Sequence, residues 1–156
     1  MYNREKAVEY AYRWALSRNP AYYDYSMIGG DCTNFASQVL YAGTGSMNFK
    51  PVYGWYYISA NEKSPSWTGV NELYNFLVKN RGPGPRAVDT DIYSLEPGDL
   101  VQLDFDGDGR FDHTPVVIDT GDFTPDTILL AAHTRDSLNR PLSDYMYKNI
   151  RFLHIL

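Results

Sequence analysis

Hydrophobic spacing changes period once in this 156-residue chain, at Asn80-Arg81-Gly82-Pro83-Gly84. That change sets the fold class, because apolar side chains recur at helical intervals before it and alternate after it. Asn3 can cap a helix running to about residue 17, with Ala7, Val8, Ala11, Trp14 and Ala15 on one side, and Asn19-Pro20 ends it. A second helix over 32–42 carries Phe35, Ala36, Val39 and Leu40 and stops at Gly43. A third over 68–79 carries Val70, Leu73, Leu77 and Val78. Strands are expected at 100–105, 113–119, 127–133 and 146–155, the first opened by the turn Pro97-Gly98. Helices followed by antiparallel strands predict an α+β fold, and the length suits a single domain over 1–156.

Composition narrows the function. A net charge of −5 without a basic run suits a polyphosphate partner poorly, so nucleic acid is not an expected ligand. No apolar run has the length of a membrane span. One cysteine excludes an internal disulfide and a multi-cysteine zinc site. The aromatic content of 15% suits either a core or a cleft for sugars and peptides. Tyr25, Trp55, Tyr56 and Trp67 are the candidate substrate-binding residues, with Tyr53 and Tyr57 beside them on the long connection 43–65.

Asp31-Cys32-Thr33-Asn34-Phe35-Ala36-Ser37-Gln38 places the lone cysteine in the first turn of an amphipathic helix, just after Gly29-Gly30. Free N–H groups and the positive end of the helix favour a thiolate there and could hold an oxyanion. The alternative is a buried thiol packing as a small apolar group. Among the three histidines, His113 opens one expected strand and His133 closes the next. A hairpin centred near Phe123 pairs them face to face, and a slip of one residue would separate them onto opposite faces. His113 is then the base for Cys32, and His133 orients it. Two paired surface histidines, or a metal held by both with Asp112 or Cys32, are the other readings. His154, on the face of Ile150 and Phe152, is expected to be structural.

The blocks Gly30-Asp31-Cys32-Thr33-Asn34-Phe35-Ala36-Ser37-Gln38, Gly98-Asp99-Leu100-Val101-Gln102-Leu103 and Asp112-His113-Thr114-Pro115-Val116-Val117 resemble the "putative amidase domain" family. That family is similar to the papain-like cell-wall cysteine peptidases and amidases of bacteria. The resemblance implies a papain-like α+β fold with N-terminal helices packed on a C-terminal antiparallel sheet. It also implies Cys32 as nucleophile and His113 as base and acid. His133 would be the third member, with Asp136 or Asn139 as alternatives. Tyr25-Ser26-Met27-Ile28 lacks the glutamine that papain uses at its oxyanion, which leaves the Cys32 N–H with Tyr25 or Ser26, and Gln38 is expected to be structural. The implied substrate is a peptide or amide link of peptidoglycan, cleaved through an acyl-thioester. A secreted or wall-associated protein, with any leader outside this sequence, is the expected setting, and a cytoplasmic one stays open. A catalytically silent wall- or glycan-binding module and an acyltransferase are the competing functions.

The segment 104–112 spaces Asp104, Asp106, Asp108 and Asp112 like the first part of a calcium loop, with Pro115 where a bidentate glutamate belongs. Calcium is therefore the ion this loop suggests, and the hydrolysis itself requires no cofactor. The other reading of the loop is a polar turn whose aspartates cap their own backbone.

Overall fold

A computed structural model describes residues 1–156. Helix α1 (Arg4–Trp14) is capped by the Asn3 side chain, which accepts from the Lys6 amide. Helix α2 (Cys32–Thr44) continues past the expected stop at Gly43 and ends at Gly45 in the left-handed region, φ 70°. Gly43 is needed for packing instead: a Cβ there would lie 2.3 Å from the Tyr2 ring. The long connection folds a short hairpin, β1 (Tyr57–Ser59) and β2 (Glu62–Lys63). The expected third helix is two pieces, α3 (Pro65–Thr68) and α4 (Val70–Lys79), broken at Gly69, whose extended backbone cannot carry a helix through.

Six strands form one antiparallel sheet in the order β3-β8-β4-β5-β6-β7: β3 (Ala87–Thr90), β4 (Leu100–Asp104), β5 (Val116–Asp119), β6 (Leu129–Ala132), β7 (Ser137–Pro141) and β8 (Asn149–Ile155). The α+β class read from the sequence is therefore the class observed. Strands β3 and β7 had no alternating signal, since Ala-Val-Asp-Thr and Ser-Leu-Asn-Arg-Pro are mostly polar edge strands.

The sheet is buried on both faces, and every residue of β4 is closed to solvent. Leu100, Val116, Ala131 and Leu153 meet α1, α2 and the tryptophans on one face. Val101, Leu103, Val117 and Leu130 meet Leu142 and Tyr145 on the other. The turn before β4 is tied to α1 by buried Asp99, which accepts from Arg4 Nη1 at 2.8 Å, the Ile155 amide at 2.9 Å and His154 Nδ1 at 3.0 Å. His154 is thus a structural residue. No helix is long and apolar enough to cross a membrane.

Candidate active site

Cys32 is the first residue of α2 and is 8% exposed. Its place is fixed by the residue before it. Asp31 does not cap its own helix; its buried carboxylate accepts instead from the Tyr25 amide at 2.8 Å and from Asn34 Nδ2 at 2.9 Å. The other oxygen lies 2.6 Å from His133 Nδ1. The Asp31 amide donates to Thr134 Oγ1 at 2.7 Å, beside Gly30 at φ 100°. The N-terminus of α2 is therefore bolted to the end of β6.

The thiol faces the start of β5. Thr33 Oγ1 lies 3.7 Å from Cys32 Sγ and 3.1 Å from Thr114 Oγ1, which also accepts from Gln102 Nε2 at 3.3 Å. Burial pushes the thiol pKa up. Hydrogen bonding from the Thr33 hydroxyl, then the Thr114 and Thr33 amides, pulls the other way and does not overcome it. Loss of water is thus the largest influence on the thiol and opposes the help expected from the helix N-terminus.

His113 immediately precedes Thr114. It pairs through its backbone with Leu103 and is 9% exposed. Its ring lies 5.6 Å from the Tyr145 ring and 6.0 Å from that of Phe105, centroid to centroid. Burial, and then the Arg140 guanidinium, lower its pKa to about 4, so the imidazole is neutral at neutral pH. No hydrogen bond joins Cys32 Sγ to a His113 ring nitrogen; the two residues are linked through Thr114 and across Tyr145.

His133 is elsewhere. Strand β5 pairs with β6 as Val116 with Ala131 and Val117 with Leu130, a register that carried on would set His133 opposite Thr114. The expected histidine pair is therefore off by one residue, and the two side chains fall on opposite faces. Both ring nitrogens of His133 face acceptors, Asp31 Oδ2 and the Trp14 carbonyl at 2.7 Å, and its ring stacks on Phe35 at 4.1 Å. It is not positioned to orient His113. Asp136 takes both of its oxygens to Arg18 at 2.9 Å, and Asn139 accepts from Tyr12 Oη at 3.4 Å, so neither serves His113. A metal between the two histidines is likewise excluded by their separation onto opposite faces.

Trp55 and Trp67 are fully buried, with their indole N–H groups spent on Ser37 Oγ at 3.1 Å and Asn34 Oδ1 at 2.9 Å. They pack α2 rather than line a cleft. Tyr25 is 7% exposed and donates its hydroxyl to the Ala60 carbonyl, so it too holds structure. Tyr56 is half-buried beside Phe49, ring centroids 5.7 Å apart. Gln38 accepts from Tyr10 Oη at 2.6 Å, in the structural place expected of it.

In the acidic loop, Asp104, Asp106 and Asp108 bring carboxylate oxygens within 4.8 Å of one another. Asp112 stays outside that group, accepting from the Phe105 amide at 2.9 Å. Asp104 is covered by its own turn at the end of β4, where it accepts from Asn149 Nδ2 at 2.8 Å and from the Gly107 and Gly109 amides at 3.0 and 2.9 Å.

Comparison with known proteins places the chain in a family. The model of the family described as "putative amidase domain" matches residues 1–156. The chain is 39% identical over 143 residues to "Uncharacterized protein YhbB" of Bacillus subtilis (strain 168), an alignment covering 89% of this chain and 43% of the relative. It is 25% identical over 147 residues to "Uncharacterized protein YjcM" of the same organism, covering 90% of this chain and 32% of that one. The chain thus spans less than half the length of these curated relatives. No solved structure matches significantly.

Proposed function

Because the chain belongs to the "putative amidase domain" family, and that family points to an amide hydrolase, we propose that its catalytic pair is Cys32 and His113. The observation that carries this reading is the placing of the lone cysteine: it opens α2 beneath the Thr114 amide, next in sequence to a neutral buried histidine. The resting pair is a thiol and a neutral imidazole. On attack, His113 takes the thiol proton as sulfur bonds to the amide carbon. The imidazolium then protonates the departing nitrogen as the C–N bond breaks, leaving an acyl-thioester. Water, deprotonated by the same imidazole, releases the acid and restores the thiol. The order of a helix-borne cysteine followed by a strand-borne histidine is that of the papain-like enzymes. The resemblance to their cell-wall members favours peptidoglycan peptide or amide links as substrate, met at the cell wall.

The test is covalent capture. Incubation with soluble peptidoglycan fragments and an acid quench is expected to add an acyl mass to Cys32, detected on the intact protein and mapped by peptide digestion. Iodoacetamide treatment beforehand should remove both the adduct and the released amine. Amine release that survives complete alkylation of Cys32 would rule the cysteine mechanism out.

Calcium is a separate part of the proposal, favoured by the convergence of Asp104, Asp106 and Asp108 one turn before His113. With Pro115 in place of the bidentate ligand, affinity should be weak, on the order of the millimolar extracellular sites. Calcium at ten times that concentration is expected to raise the melting temperature by a few degrees, through a gain of about 1.4 kcal/mol. Asp106→Asn should cancel the rise. A calorimetric titration without heat, together with an unmoved melting temperature, removes the ion.

A further inference from the structure

A row of polar side chains crosses the sheet beneath Cys32. Arg151 on β8 pairs with Gln102 on β4. The pairings of Leu100 with Val116 and of Leu103 with His113 set Thr114 opposite Gln102 in turn. All three side chains therefore share the face of Leu100 and Val116, the face that packs on α2. Thr33, the residue after Cys32, meets the row at 3.1 Å from Thr114 Oγ1. Gln102, Thr114 and Thr33 are buried, so their hydrogen bonds are made with one another and with the groups packed around them.

Donor and acceptor chemistry gives the row a direction. An arginine side chain can only donate. Arg151 Nε donates to Gln102 Oε1 at 2.8 Å, and its Cζ is held between the Tyr74 and Phe111 rings, 3.6 and 3.9 Å from their centroids. With the Gln102 oxygen fixed toward β8, its amide nitrogen donates on the other side, to the Val70 carbonyl at 2.9 Å and to Thr114 Oγ1 at 3.3 Å. Thr114 has one hydroxyl hydrogen to give, and its remaining partner is Thr33 Oγ1. Thr33 accepts that hydrogen, and the remaining partner for its own is Cys32 Sγ at 3.7 Å. The direction set at Arg151 thus ends as a hydroxyl hydrogen pointed at the sulfur.

We infer that Thr33 is a further catalytic residue, its hydroxyl donating to the Cys32 sulfur as negative charge appears there, and that Gln102 and Arg151 are positioning residues that fix the direction of that donation. This rests on the Cys32–His113 reading given above. A hydroxyl free to turn offers the sulfur a lone pair as readily as a hydrogen. One whose oxygen is already taken by Thr114 offers the hydrogen, and a hydrogen bond to a charged sulfur is stronger than one to a neutral thiol. The thiol's own hydrogen, not spent on Thr33, is left for His113 to take on attack. The donation opposes the burial that raises the thiol pKa. Of the ionisable groups around the sulfur, Asp31 disfavours charge on it, Tyr145 ionises less readily near it, and His113 is neutral. None of the three belongs to the row.

The readout is the pH profile of Cys32 alkylation by iodoacetamide, followed by intact mass on the folded protein. Thr33→Val keeps the shape and removes the hydroxyl. It should displace the profile to higher pH, with alkylation at neutral pH about 10- to 100-fold slower. Thr33→Ser should restore the wild-type profile. Gln102→Glu tests the direction. Its carboxylate accepts from Arg151 and from Thr114 alike, which turns the Thr114 hydroxyl away and lets Thr33 donate to Thr114 instead of to the sulfur. That profile should move as the Thr33→Val profile does, and the double variant should move no further than Thr33→Val alone. Shifts that add in the double variant would show the new carboxylate acting on the thiol through its charge, and would overturn the positioning role. A wild-type profile in Thr33→Val would overturn the inference as a whole. A wild-type protein that yields these profiles yet releases no amine from soluble peptidoglycan fragments would take down the cysteine reading and leave the donor standing.

Discussion

Cys32→Ala is expected to lower amide hydrolysis by about three orders of magnitude or more, while the folded protein remains. The thiol is the sole nucleophile in the proposed reaction, and no second cysteine exists to replace it. The fold should stand because the buried ties of the α2 N-terminus run through Asp31, Asn34 and Thr134, not through the sulfur. His113→Ala should cost a similar amount, and the double variant no more than either, since the two groups act in one step. The histidine adds a pH signature. Its folded pKa is about 4 against an ordinary 6.5, so kcat/KM should fall on the acid side as pH drops through about 4. The same shift affects stability. Between those two values the unfolded chain binds a proton that the folded one refuses, so stability declines as pH falls from 6.5 through 4, by about 3 kcal/mol at the low end. His113→Ala should remove that dependence, and Cys32→Ala should keep it. Activity profiles and denaturant titrations across pH 3 to 8, on the order of a half-unit spacing, read both effects. Hydrolysis persisting in Cys32→Ala would end the cysteine mechanism.

How the site was and was not legible in sequence follows from which contacts are local. The cysteine at a helix start could be read from Asp31-Cys32-Thr33-Asn34 and the apolar spacing behind it, and α2 begins at Cys32. The strand expected from His113 could be read as well, although Pro115, which has no N–H to give a ladder, delays it to Val116 and leaves His113 an isolated bridge to Leu103. The register between β5 and β6 could not. Val117 pairs with Leu130 but Asp119 with Leu129, so Ile118 is an extra residue in β5 and shifts every later partner by one. Alternation of apolar residues is blind to such a bulge, and that one residue moves the two histidines from a shared face to opposite faces. The tryptophans misled for a related reason. Their polar edges suit a cleft, but Asn34 and Ser37 on the buried side of α2 meet those edges inside. Two polar residues within an apolar stripe were the available hint that something with an N–H packs against it. Arg18 left no local trace, since the Asp136 carboxylate it holds lies more than a hundred positions away.

His133→Ala carries the second large effect, and it is an effect on folding. The side chain is 1% exposed, and its partner Asp31 is fully buried. Removing the ring leaves a carboxylate in the interior without the 2.6 Å contact that compensates its loss of water. Taking one hydrogen-bond partner from a buried carboxylate that keeps the Tyr25 amide, Asn34 and Arg18 costs about 1–3 kcal/mol, against a total stability of about 5–15 kcal/mol for a typical domain. The Trp14 carbonyl loses its partner and the Phe35 ring loses its stacked neighbour at the same time. The consequence reaches the site through Asp31, which also fixes the Tyr25 amide and Asn34 on either side of Cys32. The variant should therefore unfold at markedly lower urea, and the folded fraction that survives should still show the acid limb set by His113. Asp31→Asn keeps an amide oxygen for Tyr25 and removes the buried charge, so it should cost less than His133→Ala. Added to His133→Ala, it should recover part of the loss, and a double-mutant cycle measures that coupling. An orienting member of a catalytic triad behaves in the opposite way: its loss takes activity and leaves the urea midpoint in place. If His133→Ala did that, the ring would have to reach His113 during turnover, and the anchoring role derived from Asp31 and Trp14 would be wrong.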